Sequence, residues 1–271
     1  MNCIFCKKNS DLSKSVEHIV PQSLGNIGHV LPKGIVCDKC NNFFSIKIEK
    51  DVLEDPYFKS LRSRNRIESK KKRIPIEKGI MLSPTLSEIE LITHKNQNII
   101  NIKDVSQIDK IKSCSTGSFI IPIFEKPNEE NLLLSRFLAK MALEALVYRG
   151  DCIQEWIEEI LNHKDLDLIR FYARYGDNVK FWPYNMRRLY SESMRFSNPE
   201  VESEPYEIIH EFTFINTKEK ELYFVIAIMG IEYVINLGEP SLEGYYMWLN
   251  ENNNKSILKD DNERTVANTR S

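Results

Sequence analysis

Four cysteines fall into two close pairs, Cys3-x2-Cys6 and Cys37-x2-Cys40, with 30 residues between them. A C-x2-C turn brings two thiolates to one ion, and two such turns supply the four tetrahedral ligands that zinc prefers. A site filled by four thiolates has no open position for water or substrate, so the expected role of the Zn²⁺ is structural. It would close the intervening residues into a loop and pin the N-terminus to a helix expected to begin at Asn41. A thioredoxin-like redox motif would be a single pair behind a strand. Two pairs, with no strand before Cys3, argue against it. Cys114 and Cys152 have no such neighbours and read as ordinary buried thiols.

The loop between the pairs holds the other reactive types. Glu17 and His18 stand side by side in the run Ser15-Val16-Glu17-His18-Ile19-Val20-Pro21-Gln22-Ser23-Leu24-Gly25. An imidazole titrates near neutral pH and can take a proton from water. Adjacent strand residues face opposite ways, so Glu17 and His18 converge on one target only at a distorted strand end, and Pro21 suits such an end. Asn41 and Asn42 follow the last cysteine. The Asn41 amide fits either a metal ligand or a helix cap, with Asn42 as the fallback. His29 reads as an exposed loop residue or a second imidazole of the site. Glu49, eight residues after Asn41 and near the same helical face, reads as a helix-surface carboxylate.

These residues resemble the HNH endonuclease superfamily, in its zinc-bearing branch. Glu17-His18-Ile19-Val20-Pro21-Gln22-Ser23 is similar to the acid-His-Ile-x-Pro signature that opens the HNH hairpin. Lys33-Gly34-Ile35-Val36-Cys37-Asp38-Lys39-Cys40-Asn41 is similar to the basic-Gly-apolar-apolar-C-x-x-C-N run of zinc-bound phage junction resolvases. The likeness covers roughly the first 55 residues. It implies a ββα-metal fold in which His18 is the general base and Glu17 and Asn41 hold a catalytic Mg²⁺ or Mn²⁺, ions that favour oxygen ligands. Many such domains orient the base with a middle Asn. Here Asn26 comes too early and Lys33 holds the nearest comparable place, so the His18 orienter stays unassigned.

The elements around the loop set the wider expectation. Residues 1–75 carry fifteen Lys and Arg against eight Asp and Glu, although the whole chain has a net charge of −2. A basic front and an acidic remainder suit a polyanionic partner, most of all double-stranded DNA. Seven cations lie between residues 62 and 73: Arg62, Arg64, Arg66, Lys70, Lys71, Lys72 and Arg73. They are expected to follow a phosphate backbone, or else to form a solvated linker. Beyond residue 75 short β-type stretches appear at 89–93, 99–102 and 119–124. A helix is expected over 131–149, stopped by Gly150 and followed by a second helix that Asp151 caps. Two alternating blocks, Glu207–Asn216 and Glu221–Asn236, read as a hairpin through Thr217-Lys-Glu-Lys. Phe181–Arg188 mixes aromatics with arginines and reads as core or as a ligand-binding segment. The tail beyond Leu249 is polar.

The expected fold is therefore α+β: a zinc-stapled ββα module over residues 1–75, then a mixed α+β domain over 76–271 that regulates, binds substrate or mediates contact with a protein partner or a second copy. With 271 residues the chain has room for two cores. The absence of a long apolar run excludes a membrane-spanning helix, and no secretory leader is recognisable, so a cytoplasmic protein is expected. Function follows as metal-dependent DNA cleavage, with restriction or phage defence as the setting by analogy of domain arrangement. The other reading is a zinc-stapled nucleic-acid-binding module whose nuclease site is vestigial.

Overall fold

The computed structural model describes residues 1–94, 97–176, 179–197 and 204–258, and the backbone of Thr265–Val266. Strands β1 (Glu17–His18) and β2 (Val30–Leu31) pair antiparallel, Glu17 opposite Leu31 and His18 opposite Val30. Pro21 cannot donate to a ladder, and the pairing ends before it. Asn26 then closes the loop. Its Nδ2 donates to the carbonyls of Val20 at 2.6 Å and His29 at 2.9 Å, and its Oδ1 accepts from the His29 N–H at 2.9 Å. Helix α1 (Asp38–Phe44) begins three residues earlier than expected, because Cys37 is its N-cap and the Cys37 Sγ accepts from the Cys40 N–H at 3.4 Å. One π-helical turn, Ser45–Glu49, continues it. The order β1–β2–α1 is the expected ββα unit.

The described chain divides into two compact units, and neither is one continuous stretch: residues 1–20, 26–49 and 129–271 make the first, residues 21–25 and 50–128 the second. Residue 75 lies inside the second.

In the second unit, α2 (Lys50–Glu54) precedes α3 (Pro56–Arg64), which starts cleanly because Asp55 accepts from the Tyr57 N–H at 2.9 Å and Pro56 fills the first turn. Strands β3 (Glu77–Ser83), β4 (Ser87–Thr93) and β5 (Asn98–Ile102), the short helix α4 (Ile108–Lys112) and β6 (Ser118–Ile120) follow. Together the strands make an antiparallel sheet in the order β5-β4-β3-β6. β4 and β5 coincide with expected strands, and β6 is shorter than its expected stretch. The sequence reading has no counterpart of β3, whose run E-K-G-I-M-L-S is poor in β-branched residues.

The first unit continues with α5 (Leu132–Arg149), the helix expected there. Asn131 caps it, its Oδ1 accepting from Leu133 N at 3.0 Å and Leu134 N at 3.1 Å. Helices α6 (Gln154–Asn162) and α7 (Asp167–Tyr175) come next. Asp151 does not cap α6: it sits in a left-handed turn (φ 53°), and α6 starts after Ile153 with no side-chain cap. Strands β7 (Tyr184–Arg188), β8 (Phe196–Ser197), β9 (His210–Asn216), β10 (Leu222–Ile228) and β11 (Ile231–Asn236) precede α8 (Glu243–Glu251) and β12 (Thr265–Val266). β7, β11, β10 and β9 form an antiparallel sheet in that order, and β8 pairs with β12.

The expected 217–220 turn joins β9 to β10, but the following apolar block is two strands and not one. It folds back at Met229 (φ 47°) and Gly230 (φ 80°), since two-residue hairpin turns need positive φ. A Cβ at Gly230 would stand 2.2 Å from the Tyr190 carbonyl oxygen. Trp182 is fully buried and donates to the Asn236 carbonyl at 2.9 Å, and Arg187 pairs with Glu232 at 2.5 Å. Phe181–Arg188 thus serves the core. α5 packs against α7, β11 and the π turn, and almost all of it from Leu134 to Val147 is buried. Among the described residues no helix is long and apolar enough to cross a membrane. Residues 259–264 and 267–271, half of the polar tail, lie outside the described chain.

Candidate active site

The two C-x2-C turns meet. The sulfurs of Cys3, Cys6, Cys37 and Cys40 all lie within 4.8 Å of one another, and Cys6 and Cys37 are 3.7 Å apart. Zn–S bonds of about 2.3 Å place tetrahedral ligands about 3.8 Å apart, so the cluster fits zinc in both donor chemistry and size. Its thiols differ in how readily each gives up its proton. A hydrogen bond from the Cys40 thiol holds Cys3 down to about 5. The same bond, followed by burial, pushes Cys40 up, and burial pushes Cys37 up.

Helix α7 supplies the counter-charge. The Arg174 Nε donates to Cys40 Sγ at 3.3 Å, with its guanidinium 3.8 Å above the Phe43 ring. Arg170 donates to the Ile4 carbonyl inside the first cysteine turn at 2.6 Å, and Lys7 pairs with Asp167 at 2.5 Å. Cys114 is exposed, contrary to the expectation of a buried thiol, whereas burial pushes the Cys152 thiol up.

On the other side of the module, Val16 ties strand to helix: its carbonyl accepts from Asn41 Nδ2 at 3.3 Å. Asn41 lies inside α1 and not at its start, so the capping alternative falls to Cys37. Asn42 is exposed. Glu17 points inward and is buried, its Oε1 2.7 Å from the Lys140 ammonium. Glu49 is not a surface carboxylate. It ends the π turn with its Oε1 2.8 Å from the same ammonium. Lys140 also donates to the His18 carbonyl at 3.2 Å.

His29 belongs to a ring cluster, with Phe212, His210 and Tyr148 centroids 5.0, 5.2 and 5.5 Å away. Burial lowers the pKa of both imidazoles, that of His210 to about 4. His29 is therefore packed among rings and not an exposed loop residue.

The cations between residues 62 and 73 have separate fates. Arg62 is withdrawn from the expected backbone-tracking run: it is only 5% exposed and donates to the Leu53 carbonyl. Arg64 is half-buried and donates to Ser60 Oγ at 2.6 Å. Arg66, Lys70, Lys71, Lys72 and Arg73 are exposed, Lys72 within 3.7 Å of Glu68.

The sequence reading missed Lys140 and Glu144. Their one signal is a Lys–Glu pair at i,i+4 spacing inside an otherwise apolar helix.

A ββα unit whose cysteine turns close on one metal site, with an acid-His pair on its first strand, has a counterpart among known families. Residues 3–55 match the model of the HNH endonuclease family. The N-terminal part of the chain is an HNH module with a cysteine cluster. No curated protein and no solved structure matches the chain. The match ends at Asp55, so α5 and α7, which hold the HNH module through Lys140, Arg170 and Arg174, lie outside it.

Proposed function

We propose that the HNH module is a metal-dependent endonuclease that hydrolyses phosphodiester bonds in double-stranded DNA. The observation that carries this reading is the ββα unit of residues 3–55, which presents His18 on β1 and Asn41 on α1, the strand bonded to the helix through Val16. In this reading the His18 imidazole takes the proton of the attacking water. The Glu17 carboxylate and the Asn41 amide oxygen are hard donors suited to Mg²⁺ or Mn²⁺. Once bound, such an ion would neutralise a phosphate oxygen and stabilise the leaving 3′ oxygen. Zinc at the four cysteines holds the fold and takes no part in the chemistry. Arg66, Lys70, Lys71, Lys72 and Arg73 supply exposed positive charge for the DNA backbone. A restriction or phage-defence effector is the setting such an arrangement suits by analogy.

One observation favours the second reading, a zinc-stapled nucleic-acid-binding module with a vestigial nuclease site: the would-be ligand Glu17 is buried against a lysine. Nicking of supercoiled plasmid in Mg²⁺ or Mn²⁺ separates the two. The nuclease reading expects cutting by wild type and none by His18→Ala. Equal inactivity of both proteins, with DNA binding retained, would establish the second.

A further inference from the structure

Helix α5 carries two charges into an apolar interior. Lys140 and Glu144 stand one turn apart, both fully buried, among Phe137, Leu138, Met141 and Leu143. Four oxygens surround the Lys140 ammonium: Glu17 Oε1 at 2.7 Å, Glu49 Oε1 at 2.8 Å, Glu144 Oε2 at 3.1 Å and the His18 carbonyl at 3.2 Å. Burial alone would lower the lysine pKa, but Glu144, Glu17 and Glu49 outweigh it and hold the group well above its ordinary value.

The identity of its partners is the informative part. Two are consecutive residues of β1, one through its side chain and one through its backbone, and a third ends the π turn that continues α1. The strand and helix of the HNH module thus meet on one atom donated from outside the module. β1 needs such an anchor. It has two residues, and an isolated two-stranded pairing is marginal at best.

We infer that Lys140 is a positioning residue for the nuclease site, its ammonium held by Glu17, Glu49 and the His18 carbonyl. The ammonium fixes one oxygen of Glu17 and the backbone of His18, and so sets where the metal-binding carboxylate and the basic imidazole stand. Lys140 touches neither substrate nor metal in this role. The inference rests on the proposed nuclease reading and gives Glu49 a purpose that this reading does not.

Lys140→Met alone would leave Glu17, Glu49 and Glu144 without their cation and is expected to disrupt the unit. The test therefore compares Glu144→Leu, which keeps the ammonium on β1, with Lys140→Met/Glu144→Leu, which removes the ammonium as well. Both should retain one zinc per chain and wild-type affinity for duplex DNA. Glu144→Leu should nick plasmid within a few-fold of wild type. A displacement of about 1 Å can cost a hundredfold in rate, and the double variant should lose about that much turnover. It should also bind Mn²⁺ several-fold more weakly without DNA, read from the electron paramagnetic resonance of the free ion. A merely structural lysine would lower the melting temperature and leave Mn²⁺ affinity unmoved.

Equal turnover and Mn²⁺ affinity in the two variants would overturn the inference, as would an equal loss in both. If wild type and His18→Ala are alike inactive, the nuclease reading itself has failed and the inference falls with it. If wild type cuts, His18→Ala does not and the double variant cuts like Glu144→Leu, only the inference has failed.

Discussion

The two ends of the HNH module are secured by different physics. At the cysteine end, four sulfurs converge within 4.8 Å, and two arginines of α7 brace them, one on a sulfur and one on the carbonyl of Ile4. At the hairpin end, two-residue strands carry the acid-His pair, Asn26 closes their loop and a buried ammonium takes hold of β1. Zinc bound at these sulfurs would fix the first cysteine turn against the start of α1, but its bonds would not reach the strand. A strand too short to hold itself takes its position from side chains supplied far along the sequence. The fold-securing metal and the proposed chemistry are thereby separable, and substitutions at one end should leave the other end's property intact.

The largest effect should follow loss of the metal. Cys37→Ser removes a ligand while leaving a hydroxyl that can still cap α1, and zinc sites of this type contribute on the order of 10 kcal/mol to folding at neutral pH. Zinc content should fall below one equivalent and circular dichroism should show the module unfolded. A zinc-free protein with native circular dichroism would erase the contrast between the ends. Next comes His18→Ala, with turnover expected to drop by about two to four orders of magnitude while zinc content, melting temperature and DNA affinity stay put. A fall in affinity that tracks the fall in cutting would move His18 to the structural side.

Arg174→Met should be milder. It removes the hydrogen bond to Cys40 and the stacking on Phe43, a loss of about 1–3 kcal/mol for a charge-assisted bond. Zinc should leave faster under a chelator, with plasmid nicking within a few-fold of wild type. The smallest effect on the fold belongs to Lys70, Lys71 and Lys72, which are exposed. Changing all three to Gln should leave the melting temperature alone and weaken binding about equally on unrelated DNA sequences. The salt dependence of binding should flatten by roughly 0.9 log unit per lost phosphate contact. An unaltered salt slope would make the run a solvated linker.

Both ends of this comparison were legible in the sequence to different depths. The cysteine spacing announces its own geometry, since a C-x2-C turn has few ways to point two sulfurs at one ion. The acid-His run and the paired cysteines together give the ββα order. Helix α5 could be read from its apolar stripe and from Gly150. What could not be read was the inside of that stripe, because Lys140 looks like any helix-surface lysine until Glu17 and Glu49 are brought to it from more than ninety residues away. Arg62 failed in the opposite direction. Arg66, Lys70, Lys71, Lys72 and Arg73 of the charged run are exposed, but Arg62 occupies the inward face of α3, and local composition does not distinguish the faces of a short helix. The turn at Met229 was masked by apolar residues on both sides, with Gly230 as its one mark. The division into units was out of reach for a related reason: proximity along the chain says little about which segments bury each other.

The bond from Arg170 to the Ile4 carbonyl joins residues 166 positions apart, and this places the HNH module late in the life of the nascent chain. The first cysteine turn leaves the ribosome early, but α7 follows it by roughly 10–30 s at ordinary rates of synthesis of about 5–20 residues per second. During that interval Phe43 lacks the Arg174 guanidinium that covers it in the finished protein, and the long sequence separation of such contacts predicts slow closure. On the proposed nuclease reading, the hairpin that Lys140 holds would reach its working position only after α5 has been made.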